Sequence, residues 1–442
     1  MPKGLRKVYI SFKEDQLTHF AGMLLIQRFC QRLGLKRLLQ QQMRPAPRYQ
    51  EFHPSEMTLA ILYAIIAGMD RVNETQILQY NGAFQKIVGL SKYPDQTAIR
   101  RYLKRLSPQH IRQLVQVHEI LRRSFFDRPS KRSSLVFDVD STVLILYGRT
   151  VEKARVGYNP KKPGRRSYHP LLCFEAERQE FWHGSLRPGN AAASTGAVPF
   201  LTICLAKIPR TIARSRIRFR LDSGFYGKRV IEFLDSTGCG YAIVAKEYPS
   251  IKAKARTCKF TKSLRGWEVG EFKWKSQGWA KPHRFVVVRR PIPEDPTEAR
   301  QLTLFKDTKY TYHVFVTNLR ISAWRVYRFY SPRATIEKHI RELVYDYPLA
   351  KIPTQEWIPN VAFFQMLLLG FNLVHYFKRL CLPRNYHSKT LKTIRMELLV
   401  LPGRLIRAQK QYHLNLPRKY HFEQVFREAL SKIEKLRELP IA

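Results

Sequence analysis

At 442 residues, with 44% apolar side chains, the chain is long enough for two or three domains with cores of their own. Its 78 lysines and arginines face only 34 acids, a formal net charge of +44, so it repels itself unless a polyanion is present, and nucleic acid is the obvious one. An aromatic content of 12% excludes a simple basic tail or a small packing protein and points to a folded enzyme or a large binding protein.

The N-terminus, MPKGLRKVYISFKED, lacks an apolar signal core. Residues 1–128 read as mostly helical, with apolar residues at three- and four-residue spacing in LTHFAGMLLIQRFCQRLGLKRLLQQQ and MTLAILYAIIAGM. In DQTAIRRYLKRLS, Asp95 is a candidate cap, and Arg100, Arg101, Lys104 and Arg105 fall on exposed sides, as a solvated face or a DNA contact. RPSKRSS (128–134) reads as a linker. From 133 to 246 the pattern changes to a strand (SLVFDVDSTVLILYG), a hairpin turning near Glu177–Gln179, then helix, strand, helix and strand, an α/β order with helices on the faces of a mixed sheet. Residues 247–320 read as a β-rich insertion. It holds Trp267, Trp274 and Trp279, and thirteen lysines and arginines against three glutamates between 246 and 290. Helix returns over 321–380, and a basic helical region fills 381–442. FFQMLLLGFNLVHYF (Phe363–Phe377) is short for a membrane span and contains Asn372 and His375, so it reads as a buried helix. Six scattered cysteines without a CxxC pair argue against a thiolate zinc site or a disulfide framework, and suggest reduced thiols in a cytoplasmic protein.

The scarce acids fall at telling positions. In FDVDSTV, alternation puts Asp138 and Asp140 on one face of a strand, where buried carboxylates need water, a cation or a metal. Asp222 ends the strand of RIRFRLDSGF. In an α/β sheet the carboxyl ends of strands gather at one crevice, so Asp222 can face Asp140 across neighbouring strands. In YSPRATIEKHIREL, Ser331 and Pro332 read as an N-cap and first helical residue. Arg333, Glu337 and Arg341 then fall at four-residue intervals, as a surface ion-pair ladder or as part of a site. Acids of this kind suit magnesium or manganese, and two such ions about 4 Å apart can promote in-line attack on a phosphodiester.

These segments resemble the bacterial insertion-sequence DDE transposases of group 1 (the 1380-type family), which have a ribonuclease H-like catalytic core. The resemblance rests on FDVDSTV followed by GYNPKKPGRRSYHPLLCF, on RLDSGF, on Tyr330-x-x-Arg333-x-x-x-Glu337 and on NVAFFQMLLLGFNL, with the acids 82 and 115 residues apart. It implies that Asp140, Asp222 and Glu337 hold two Mg2+ or Mn2+ ions, with Asp138 the other candidate for the first position. Tyr330, Arg333 and Arg341 would position phosphate. The family's lysine seven residues beyond the glutamate is Val344 here, and Lys338 or Arg341 is its candidate replacement.

The loop GYNPKKPGRRSYHP can track a phosphate backbone with Tyr158, Lys161, Lys162, Arg165 and Arg166, or be a charged surface loop. Trp267 and Trp279 are candidates for stacking on a flipped base, or for the core of the insertion's sheet. His169 and His183 read as structural. The resemblance implies a DNA transposase that cuts double-stranded DNA at terminal inverted repeats and joins it to target DNA as a homodimer, with no membrane partner.

Overall fold

The computed structural model describes residues 9–43, 51–126, 134–160, 162–292, 305–306 and 309–438. Most of the expected linker, and Lys161, lie outside them. The chain forms two compact units, one of residues 125–344 with 355–357, the other of residues 1–124, 345–354 and 358–442.

The first unit is built on a ten-stranded sheet. Its centre consists of β1 (Leu135–Ser141), β2 (Leu171–Glu175), β3 (Glu180–Ser185), β4 (Ile217–Leu221) and β5 (Gly240–Val244), in the spatial order β3-β2-β1-β4-β5. β1, β4 and β5 run parallel, while β2 is antiparallel to both β1 and β3. This is the ribonuclease H-like order. Alternation in β1 and β4 sends Phe137, Val139, Phe219 and Leu221 to one face, beneath α1 (Ala197–Ala206) and α2 (Lys228–Thr237). Gly238 closes α2 in the left-handed region, where glycine carries no Cβ penalty.

The insertion does not make a separate small sheet. After α3 (Pro249–Thr257), the strands β6 (Phe260–Lys262), β7 (Glu268–Trp274), β8 (His283–Pro291), β9 (Phe305–Lys306) and β10 (Tyr310–Thr317) extend the central one. β10 pairs antiparallel with β5, covering the edge that β5 would otherwise expose. The second face is covered by α4 (Ala323–Tyr330), whose Val326 and Tyr330 pack on Ala242, Val286, Val288 and Phe315.

Ser331 does not cap a new helix. Its backbone is helical, and its hydroxyl donates to the Tyr327 carbonyl at 2.8 Å. α4 passes through a 3-10 turn at Ser331–Arg333 into α5 (Ala334–Tyr345). Pro332 lacks the N–H that would continue α4, and the tighter turn accommodates it.

The second unit is mainly helical. Asp95 caps Gln96–Arg105, accepting from Ala98 N at 2.8 Å, and Arg100, Arg101, Lys104 and Arg105 are exposed, as the sequence suggests. Trp357–Cys381 is long and apolar enough to cross a membrane, but it is a buried helix. Its Asn372 amide meets the His118 ring at 2.6 Å. The expectation of helix throughout 381–442 is corrected: Gly403–Ala408 and Gln411–Asn415 form a hairpin that pairs with Leu17–Thr18. The alternating LIRA and YHL segments on either side of a two-residue turn explain it. All six cysteines are free.

Candidate active site

The parallel register of β1 and β4 sets Asp138 beside Arg220 and Val139 beside Leu221. One residue further, Asp140 and Asp222 end adjacent strands on the same face. The two aspartates of β1 have different surroundings. Asp138 is fully buried and takes two hydrogen bonds from Arg220, 2.5 Å from Nε and 2.7 Å from Nη2. Arg220 donates again to the Phe329 carbonyl at 2.9 Å, so that charge is matched within the core.

Asp140 lies at the rim. Its Oδ1 accepts from Ser141 N at 2.8 Å and stands 3.0 Å from Nη2 of Arg333. Asp222 caps the short turn Ser223–Phe225, accepting from Gly224 N at 2.9 Å, while its other oxygen lies 3.6 Å from the same Nη2. Glu337, one turn into α5, is half-exposed and meets Arg333 Nη1 at 3.2 Å. Arg333 therefore links all three acids from a position only 2% exposed. Burial pushes the Asp140 carboxyl up to about 7, with the positive charge of Arg333 opposing that rise and Asp222 and Glu337 adding to it. Arg333 is itself pushed up, its acidic neighbours outweighing its own burial.

Two expectations about this segment change. Arg333 does not project to solvent for a phosphate; it is the buried counter-charge of the acids. Tyr330 is also buried, its ring 4.8 Å from Phe315, so it packs the sheet. Arg341 and Lys338 are exposed on α5, and Val344 is half-buried.

In the basic loop, Tyr158, Lys162, Arg165 and Arg166 are exposed. Lys162 reaches the Tyr147 hydroxyl at 3.1 Å, and Arg166 donates to the Arg149 carbonyl at 2.5 Å. Neither tryptophan is available for base stacking. Trp267 is 8% exposed among Tyr327, Trp324 and His313, and Trp279 is 8% exposed against Tyr226 and His283. The broad apolar surfaces of these rings fill the ground beneath α4 and beside α2. His169 is buried with Nδ1 donating to the Ala191 carbonyl at 2.6 Å, and His183 stacks on Phe200, both structural placements.

Sequence reasoning missed Arg187. It is buried and donates to the carbonyls of His169, Ala192 and Thr195, fixing the loop beside the Asp222 turn. A Cβ at Gly224 would stand 2.8 Å from Ala193 Cβ, so glycine is needed for this approach. SLRPGN carries no pattern that announces such a role.

Among the described residues, no three His, Cys, Asp or Glu side chains stand close enough to share a metal ion. The acids are instead arranged around the Arg333 guanidinium. The donor chemistry, three carboxylates without a thiolate, nonetheless fits a hard, oxygen-preferring divalent ion.

No curated protein matches the chain. Among solved structures, a piggyBac transposase synaptic complex with hairpin DNA shares 9% identity at a TM-score of 0.44, over 86% of this chain and 78% of that one. A Mos1 transposase paired-end complex with the left transposon end shares 12% at 0.18, over 45% and 60%. A Mos1 mariner paired-end complex with Mn shares 14% at 0.18, over 49% and 65%. The sequence profile of transposase DDE domain group 1 matches residues 1–438, so the chain belongs to that family and is a DNA transposase, an enzyme of DNA cleavage and strand transfer.

Proposed function

We propose that Asp140, Asp222 and Glu337 are the catalytic carboxylates of this transposase and hold its divalent ions, magnesium or manganese, two in number. The observation that carries the reading is the convergence of all three acids on one guanidinium: a cation is already required where they meet. When bound, such ions supply an activated water or 3′-hydroxyl and neutralise charge at the scissile phosphate. The chain's own part is to set the acids on rigid supports. Two are fixed by adjacent parallel strands, and the third rides on α5, which the Pro332 turn aims at the sheet. Asp138 serves as the buried partner of Arg220.

The exposed Tyr158, Lys162, Arg165 and Arg166 track the backbone of the bound DNA, as does Lys161. Lys338 or Arg341, both exposed on α5, takes the phosphate contact that Val344 cannot make. The DNA is the pair of terminal inverted repeats of an insertion sequence, and then its target. Two chains act together as a homodimer, because two ends are cut and joined. The setting is the bacterial cytoplasm.

The test uses purified protein and labelled duplex carrying an element end, with manganese or with EDTA. Nicking and strand transfer should require the metal and disappear in Asp222→Asn and Glu337→Gln while duplex binding persists. Unchanged cleavage in either variant would remove that residue from the site.

A further inference from the structure

We infer that the hairpin Gly403–Asn415 is a DNA-groove ribbon whose apex, Gln409–Lys410, enters duplex DNA. The inference rests on the reading of this chain as one that binds element ends, and assigns that binding to a surface outside the carboxylate site.

The hairpin has an anchored base and a free end. At the base, Gly403 and Arg404 pair with Thr18 and Leu17, and Leu405 packs with Ala83 and Ile87, flanked by Leu414. Beyond the cross-strand pair Leu405–Leu414, the pairs Ile406–His413, Arg407–Tyr412 and Ala408–Gln411 continue to the turn. Of these, Ile406, Arg407, Ala408, Gln411, Tyr412 and His413 are all exposed. At about 3.4 Å per residue this free arm reaches roughly 15 Å from its base. A major groove is about 8.5 Å deep and 12 Å wide, and it admits a two-stranded ribbon.

The chemistry of the arm matches a polyanion. From residue 398 to 422 there is no Asp or Glu, while Arg404, Arg407, Lys410, Arg418 and Lys419 supply five cations. Arg404 is engaged at the base, 3.4 Å from Glu14. Lys86 lies 6.0 Å from the Tyr412 ring centroid, adding a cation on the Arg407 side.

The turn itself supplies an independent argument. Both apex residues have positive φ, 48° at Gln409 and 63° at Lys410. A two-residue turn of this kind favours Asn-Gly, since other L residues are strained there. Here two long polar side chains are held at the apex against that preference. Backbone strain kept at an exposed tip is a feature of binding surfaces.

The experiment measures affinity of the full chain for labelled element-end duplex, and for a shuffled duplex, by anisotropy across a salt series. Melting temperature is measured in parallel. Arg407→Ala with Lys410→Ala should weaken binding and reduce the slope of log K against log salt by about two. Gln409→Asn with Lys410→Gly relieves the turn, so its melting temperature should hold or rise while its affinity falls several-fold. A role confined to folding would move the two together. Wild-type affinity and slope in both variants would overturn the hairpin assignment and leave the DNA-binding reading standing. A wild-type chain that binds neither duplex would overturn both. Loss of the dimer in sedimentation, with single-end affinity unchanged, would assign the apex to a second copy of the chain and overturn the inference.

Discussion

Asp138 and Asp140 lie two residues apart on one face of one strand, and burial pushes both carboxyls up. Asp138 is the bidentate partner of Arg220, however, while Asp140 shares Arg333 with two further acids, so the same substitution draws opposite responses. Asp138→Asn leaves Arg220, itself buried, without its counter-charge. Breaking a buried ion pair by removing one partner costs about 3–5 kcal/mol. For a unit of this size that lowers the melting temperature by roughly 10 °C. Asp140→Asn removes a carboxylate that burial and two neighbouring acids disfavour. Its pKa, moved from 3.8 to about 7, lies above the unfolded value, so its contribution to stability is full below pH 4 and lost as pH rises through 7. That rise corresponds to at most about 4 kcal/mol at alkaline pH. Asp140→Asn should therefore melt at or above wild type at pH 8 in EDTA, approach it at pH 5, and fail to cut DNA. Asp138→Asn should melt low at both pH values and keep cleavage in proportion to its folded fraction. Melts in EDTA at both pH values and a manganese cleavage assay decide the matter. A stable, cleavage-dead Asp138→Asn beside a destabilised Asp140→Asn would reverse the assignments and refute the argument from burial and pairing.

Arg333→Met should lose about 3–5 kcal/mol of stability in EDTA, because three acids are left facing one another, and manganese should raise its melting temperature more than it raises that of wild type; equal shifts would show that Arg333 is not their counter-charge. His313 is buried among Trp267, Phe315 and Tyr327 with Arg290 nearby, and its pKa is lowered to about 4, burial being the larger cause. Since that lies below the unfolded value, its contribution is present above about pH 6.5 and lost as pH falls through 4, at most about 3 kcal/mol. His313→Phe should flatten that part of the pH–stability curve, and an unchanged curve would locate the acid sensitivity elsewhere. Trp267→Ala should cost about 3–5 kcal/mol as a core truncation, whereas Trp267→Phe should fold and cut; a well-folded Trp267→Phe that no longer cuts would return Trp267 to the DNA.

What the sequence disclosed follows the range over which its rules act. Strand parity is local, so alternation alone put Asp138 and Asp140 on one face and let Asp222 meet Asp140 at the strand ends, a meeting the β1–β4 register produces. That Asp138 is the enclosed member of the pair depends on Arg220, its partner 82 residues away, and no local pattern announces that. The YSPRATIEK segment misled for a related reason. Serine followed by proline reads as a helix start, but α4 already occupies the preceding residues and carries the chain through. Four-residue spacing then correctly joined Arg333 to Glu337 while suggesting a surface ladder, because spacing identifies a shared face and not what covers it. The tryptophans and the C-terminal hairpin fall under the same limit. An aromatic beside lysines looks like a nucleic-acid contact until a helix packs over it. A basic stretch looks like a helical tail until its alternation finds a strand, Leu17–Thr18, from the other end of the chain. Chemistry carried by residue type and parity was therefore legible, as was exposure on a strongly amphipathic or wholly apolar helix, but not the burial of Arg333, Tyr330 and the tryptophans, which partners distant in sequence decide. The acids of this protein are the case in which that difference matters most, since the same buried guanidinium that a sequence assigns to DNA is what holds them together.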